Sequence, residues 1–309
     1  MHATLKERAH VAKRMRGILI TGFFRTGSTF VFSSLRADSR LCCYYEPYHP
    51  MMAEYLFARE SGGRTADADF LGHTIDGDYF REYRKIDARR LQPYLTGGER
   101  STNHPVLVGS DSGSQLKGYI DFLIDEAEHA GKIPVLQCNR WNLVLPWLKK
   151  RYPEFIIVLI TRPTIPVVLS LYALAKREGE RLDLLSTYAN YWGVDEIIGN
   201  IVSFYDFEPK IIGRFNYIQK IHFILQFFEL YMGQSADVTL NYDQIGCGNE
   251  AFFDRLECGL GIRFLASRDH FARFWRQDVG KYNIAVRDYF ELPEAILAAW
   301  GQERSISNQ

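Results

Sequence analysis

The sequence predicts an α/β fold: a central parallel sheet flanked by helices, with a helix-rich C-terminal part. Three observations predict it. Short apolar runs of strand type alternate with longer segments of helical period, the pattern made by crossover helices covering a parallel sheet. The first strand, 17–21 (GILIT), runs through a glycine-bounded turn into an apolar-periodic segment beginning at Phe30. From about residue 182 onward the chain reads as mostly helical with one strand.

The strands expected in order are 17–21, 41–45 (LCCYY), 134–138 (PVLQC), 155–161 (FIIVLIT) and 238–242 (VTLNY). Segments 115–130, 141–151, 165–176, 184–204 and 214–232 carry apolar residues at three- and four-residue spacing and are expected as helices. Helix-like material is also expected at 79–95, after a loop at 61–78 rich in Gly, Asp and Thr. Residues 1–16 read as a solvated N-terminal arm and 17–309 as a single domain, the simplest reading of the length, although two domains are allowed.

Composition excludes several classes. With 37 basic and 37 acidic side chains, no global field draws the protein to nucleic acid or an anionic membrane, so an anion site must be built locally. No apolar run reaches the ~20 residues of a membrane helix, and the first residues lack a secretory signal's apolar stretch. The five cysteines, Cys42, Cys43, Cys138, Cys247 and Cys258, show neither metal-ligand spacing nor the density of a disulfide scaffold. A cytoplasmic protein with reduced thiols is expected, with no metal site. Oligomeric state is not legible.

The turn after the first strand reads Gly22-Phe-Phe-Arg25-Thr26-Gly27-Ser28-Thr29. A strand, a glycine-bounded turn and a helix start form an anion cradle, because glycines let backbone N–H groups approach and the helix dipole favours negative charge. This makes the expected sheet P-loop-type. A nucleotide triphosphatase carries Gly-Lys-Ser/Thr at the second glycine. Here Ser28 stands where that lysine belongs, and the cation has moved inside the loop to Arg25. Thr26, Ser28 and Thr29 add hydroxyls, an arrangement suited to a shorter anion held without an obligatory metal. The alternative is a glycine turn kept for packing alone.

A second feature lies at the end of 155–161, where Arg162 follows directly and Ser170 falls on the next helix. A Mg²⁺-dependent triphosphatase of this architecture ends a core strand in an acid that helps hold the metal. A cation here suits a second phosphate, with Ser170 adding a hydroxyl. A surface ion pair for Arg162 is the other reading.

Together these residues resemble the sulfotransferase family that uses 3′-phosphoadenosine 5′-phosphosulfate (PAPS), especially its carbohydrate-type and bacterial branches. The resemblance implies that Arg25, Thr26, Gly27, Ser28 and Thr29, with the adjoining Phe30, hold the 5′-phosphosulfate, and that Arg162 and Ser170 hold the 3′-phosphate. Tyr45-Glu46-Pro47 is similar to the Glu-Pro element after the second strand of carbohydrate sulfotransferases, and Tyr242-Asp243 resembles the family's Tyr-Glu-Asp-Leu element. The match covers most of residues 17–245 and fades beyond. It implies a sulfuryl transfer to a small-molecule or glycan acceptor, with a sugar, lipid or secondary-metabolite hydroxyl as the expected class.

The departures shape the chemistry. Phenol-type members place a catalytic histidine where this chain reads Gln137-Cys138-Asn139-Arg140, and their glycine-rich closing element has only Gly280-Lys281-Tyr282 as a weak counterpart. A substitute base is needed, worth about 10²–10⁴-fold in rate. Glu46 is the first candidate, since it follows the strand 41–45 and Pro47 fixes the turn after it. His49 is the second, with His104 and Asp111 more remote. The other reading of Glu46 is an ion pair with Arg25 or Arg140. Arg140 is also a candidate for the sulfuryl oxygens. Competing functions are a P-loop kinase with a degenerate loop and a non-catalytic nucleotide-binding protein.

Overall fold

The computed structural model describes residues 16–49, 80–95, 114–177, 193–205 and 217–242, together with the isolated positions 52, 215, 254, 257 and 263. Five strands form an all-parallel sheet in the order β2-β3-β1-β4-β5: β1 Gly17–Gly22, β2 Leu41–Tyr45, β3 Ile133–Gln137, β4 Phe155–Thr161 and β5 Val238–Asn241. Seven α-helices are present among the described residues: α1 Ser28–Arg36, α2 Ala88–Leu95, α3 Ser114–His129, α4 Leu145–Arg151, α5 Thr164–Arg177, α6 Val194–Tyr205 and α7 Tyr217–Phe227. The α/β class with a central parallel sheet flanked by helices is the class expected from the sequence.

The chain divides into two compact units, one formed by residues 1–161 and 228–270 and the other by 162–227 and 271–309. The first holds the sheet. Every residue of β1 is buried, as a strand covered on both faces requires, and its register sets Ile20 beside Gln137 of β3 and beside Val158 of β4. Helix α1 packs on β1, β2 and β3 and α3 packs on β3. Phe32, Leu35, Val135, Leu136 and Val158, none more than 1% exposed, sit in this core. Each such side chain contributes about 1.5–3 kcal/mol when fully buried.

The second unit is helical where it is described. Helix α7 packs on α5 and α6. The Thr164 hydroxyl lies 2.8 Å from His222 Nδ1, and Tyr205 meets Phe227 edge-on.

Several boundaries differ from the sequence expectation. The helix expected at 141–151 begins as a 3₁₀ segment, Asn139–Val144, and becomes α only at Leu145. The segment expected at 214–232 is α-helical over Tyr217–Phe227 and continues as a π turn, Phe228–Met232. Among the described residues of 79–95, helix is confined to Tyr83–Lys85 and Ala88–Leu95. Cys138 and Tyr242 fall just beyond their strands. Residues 1–15, the loop at 61–78, His104, Asp111, Asp243, Cys247, Cys258 and 280–282 lie outside the described residues. Among the described residues no helix is long and apolar enough to cross a membrane.

Candidate active site

The candidate site is at the carboxyl edge of the sheet, where the segments leaving β1, β2 and β3 come together. Strand β1 opens into the turn Phe23–Gly27 and then α1, whose cap Gly27 has φ 96 and ψ 11, with no side chain capping the helix. Gly22 and Gly27 are sterically required. A Cβ on Gly22 would lie 2.5 Å from the Thr26 hydroxyl, and one on Gly27 would lie 1.9 Å from the Tyr242 ring. Thr26 N–H donates to Phe23 O, while Phe30 and Val31 N–H both donate to Gly27 O. Among the described residues no carbonyl accepts from the N–H groups of Gly27, Ser28 or Thr29. Three successive donors at a helix start beside left-handed backbone form a nest for an anion.

The hydroxyls of the loop have other work. Thr26 Oγ1 donates to Phe23 O at 2.6 Å, and Ser28 Oγ donates to Asn139 Oδ1 at 2.8 Å. Thr29 Oγ1 lies 3.2 Å from Tyr45 Oη. What Thr26 and Ser28 do in this structure is fasten the loop, and the backbone amides are left as its donors.

Below the loop lies a buried network from the segment after β3. Gln137 Nε2 donates to Ser28 Oγ at 3.2 Å and to Asn139 Oδ1 at 2.9 Å. Asn142 Nδ2 donates to Gly22 O at 3.2 Å and to Asn139 O at 2.6 Å. Thr21 Oγ1 lies 2.7 Å from Asn142 Oδ1 and 2.9 Å from Cys138 O.

On the β2 side, Glu46 is 3% exposed and accepts from Asn139 N at 3.3 Å and from Arg140 Nη1 at 3.1 Å, with Cys138 Sγ 3.6 Å away. The Arg140 guanidinium lies over the Phe24 ring of the loop, 5.3 Å from its centroid. His49 N–H donates to Glu46 O at 2.8 Å, and its ring meets Phe80 edge-on. Among the described residues the non-glycine residues with positive φ are Arg25 at 67° and Glu46 at 40°. A left-handed conformation costs a non-glycine residue about 1–2 kcal/mol, and such outliers gather at functional sites.

Electrostatics bring the candidates to one place. Burial pushes the Tyr45 phenol well up, and the charge of Glu46 pushes the same way. Its hydrogen bond with Thr29 and the charges of Arg140 and Arg25 pull it back. Tyr45 is therefore a neutral phenol within the field of all three charged candidates. Burial, with Glu46 adding to it, holds the Cys138 thiol neutral.

No family model matches the chain, and no curated protein matches its sequence. Among solved structures, the crystal structure of sulfotransferase STF1 from Mycobacterium tuberculosis H37Rv is similar with a TM-score of 0.39 and 16% identity. The match covers 86% of this chain and 73% of that one.

Of the residues expected from the sequence, Arg25, Thr26, Gly27, Ser28, Thr29, Glu46, His49 and Arg140 all lie in this part of the first unit. Phe30 is a core residue, 4% exposed and set edge-on to Tyr242. Arg162 and Ser170 belong to the second unit, where Arg162 directly follows β4 and Ser170 is buried on α5. Among the described residues there is no cluster of His, Cys, Asp or Glu able to hold a metal. Sequence reading missed Gln137, Asn139 and Asn142 as partners of the loop. Their signal was three carboxamides within six residues, at and just after the end of an apolar strand.

Proposed function

We propose that this chain is a sulfotransferase that moves a sulfuryl group from PAPS to the hydroxyl of a sugar, lipid or secondary metabolite by in-line displacement. The observation that carries the reading is the start of α1. There the N–H groups of Gly27, Ser28 and Thr29 lack carbonyl acceptors among the described residues, beside a left-handed Arg25, in a loop without the triphosphatase lysine. That set offers a 5′-phosphosulfate one cation and three backbone donors. Arg162 and Ser170 are proposed ligands of the 3′-phosphate, a role carried by the sequence pattern alone.

In the proposed step the acceptor oxygen forms a bond to sulfur while the bond from sulfur to the bridging oxygen breaks. The electron pair leaves with 3′-phosphoadenosine 5′-phosphate. Arg25 and the nest amides stabilise the charge on the leaving phosphate, and Arg140 meets the sulfuryl oxygens. Both oxygens of Glu46 are engaged, one by Asn139 N and the other by Arg140 and Cys138. That geometry suits Glu46 to orient Arg140, and His49, the second candidate from the sequence, is then the proposed proton acceptor. Glu46 acts as base only if its bond to Arg140 opens.

The test follows labelled sulfate from PAPS to an acceptor panel. Arg25→Ala and Glu46→Gln are each expected to lose turnover by roughly 10²-fold or more, and near-full turnover in both contradicts the assignment. His49→Ala removes the acid limb of the pH–rate profile if His49 is the base. A second reading, a nucleotide-binding protein without turnover, is favoured by the engagement of Glu46 itself. It predicts binding of 3′-phosphoadenosine 5′-phosphate and no transfer.

A further inference from the structure

Resting on that reading of the loop, we propose that Gln137 is a positioning residue for the anion cradle. Its buried carboxamide braces the first residue of α1 and lowers the stability of the fold in doing so. Gln137 ends β3, beside Ile20 of β1 and Tyr45 of β2, and is 0% exposed. Its Nε2 reaches both Ser28 Oγ and Asn139 Oδ1, and Ser28 closes the triangle by donating its single proton to the same Asn139 oxygen. The Ser28 hydroxyl is thereby fixed from two sides. Ser28 is the central residue of the nest, so fixing its side chain fixes the direction of the N–H groups around it. Asn142 holds the other end of the loop at Gly22.

The cost is visible in the same side chain. Gln137 Oε1 is buried with no hydrogen-bond partner among the described residues, and an unpaired buried acceptor forfeits its hydration without return. An apolar side chain of similar volume avoids that loss and strands nothing, since Ser28 and Asn139 keep their mutual bond. A residue serving stability alone and one bracing the cradle thus respond to the same substitution with opposite signs.

The experiment uses the full chain with Gln137→Met, and Gln137→Leu as a second apolar variant. Three quantities are measured: Tm, the Kd for 3′-phosphoadenosine 5′-phosphate by calorimetry, and hydrogen exchange at Phe30 and Val31, whose N–H groups bond to Gly27 O. The expected result is an unchanged or raised Tm, affinity weakened about tenfold, and faster exchange at both amides. Unchanged affinity and exchange overturn the proposal. So does a fall in Tm in both variants, which marks Gln137 as a plain stabilising residue. If the unaltered protein does not bind the nucleotide, the sulfotransferase reading falls, and exchange at Phe30 and Val31 still decides whether Gln137 braces the loop.

Discussion

The two ends of the parallel sheet are fastened differently. At the amino end, residues just before the strands are held by ion pairs that reach the surface: Arg16 to Glu128 at 2.8 Å and Glu154 at 3.4 Å before β1, and the exposed Arg40 to the buried Asp38 at 2.6 Å before β2. Before β5, Asp237 pairs with Lys149 at 2.6 Å and also accepts from Ile157 N at 2.9 Å. At the carboxyl end the fastenings are buried: neutral carboxamides, and one ion pair, Glu46 with Arg140, only 4% and 11% exposed. Exposed pairs contribute about 0–1 kcal/mol each. Buried polar groups do little for net stability but fix geometry, and breaking one is expensive. The difference assigns anchoring to the amino end and placement to the carboxyl end, where open α/β sheets bind their ligands.

The largest expected effect that tests this contrast is Glu46→Ala. It leaves the Arg140 charge buried and unpaired, with a loss of about 3–5 kcal/mol in urea unfolding. Glu46→Ala combined with Arg140→Met recovers part of that loss, and an additive double variant breaks the account of a coupled pair. Next is Gly27→Ala, which drives a methyl group into the Tyr242 ring. Overpacking of about 1–3 kcal/mol is expected together with loss of nucleotide binding by calorimetry. Arg25→Gly relieves the left-handed backbone while removing the cation, so affinity for 3′-phosphoadenosine 5′-phosphate drops about 10–100-fold, a larger loss than any in urea unfolding. Equal losses of stability and affinity contradict the separation of the two roles.

The smallest effect belongs to the amino end. The hydrogen bond from Arg40 holds the Asp38 carboxyl below its ordinary value. A group depressed in the folded state adds stability above its unfolded pKa and loses it as pH falls through the folded one. The parent should therefore exceed Asp38→Asn in stability only slightly above about pH 4, with the gap closing as the pH falls below it. A large difference there places anchoring strength where this account puts little.

Periodicity made much of the fold legible. Strands 41–45 and 155–161 were readable to the residue because each is an unbroken apolar run, and the glycines at 22 and 27 marked the loop by the backbone freedom they supply. The start of the segment after β3 was not readable, because Trp141, Leu143 and Val144 mimic helical spacing while Asn139 before them and Asn142 among them serve tertiary partners. Site residues in sequence-local motifs, Arg25 to Thr29 and Glu46, were visible as candidates. Gln137, Asn139 and Asn142 were not, since their partners, Ser28 for the first two and Thr21 and Gly22 for Asn142, are more than a hundred positions away and only strand order brings them together. Nor could spacing say that the protons of Thr26 and Ser28 are spent inside the protein.

The central claim is that the start of α1 is an anion cradle built for a phosphosulfate nucleotide rather than for ATP. The most direct measurement is a thermal shift of the full chain with 3′-phosphoadenosine 5′-phosphate and, in parallel, with ATP and Mg²⁺, since a ligand that binds only the folded state raises Tm. The account predicts a rise with the first that Arg25→Gly abolishes, and no rise with the second. A rise with ATP and Mg²⁺ alone would contradict it and return the loop to the kinase reading.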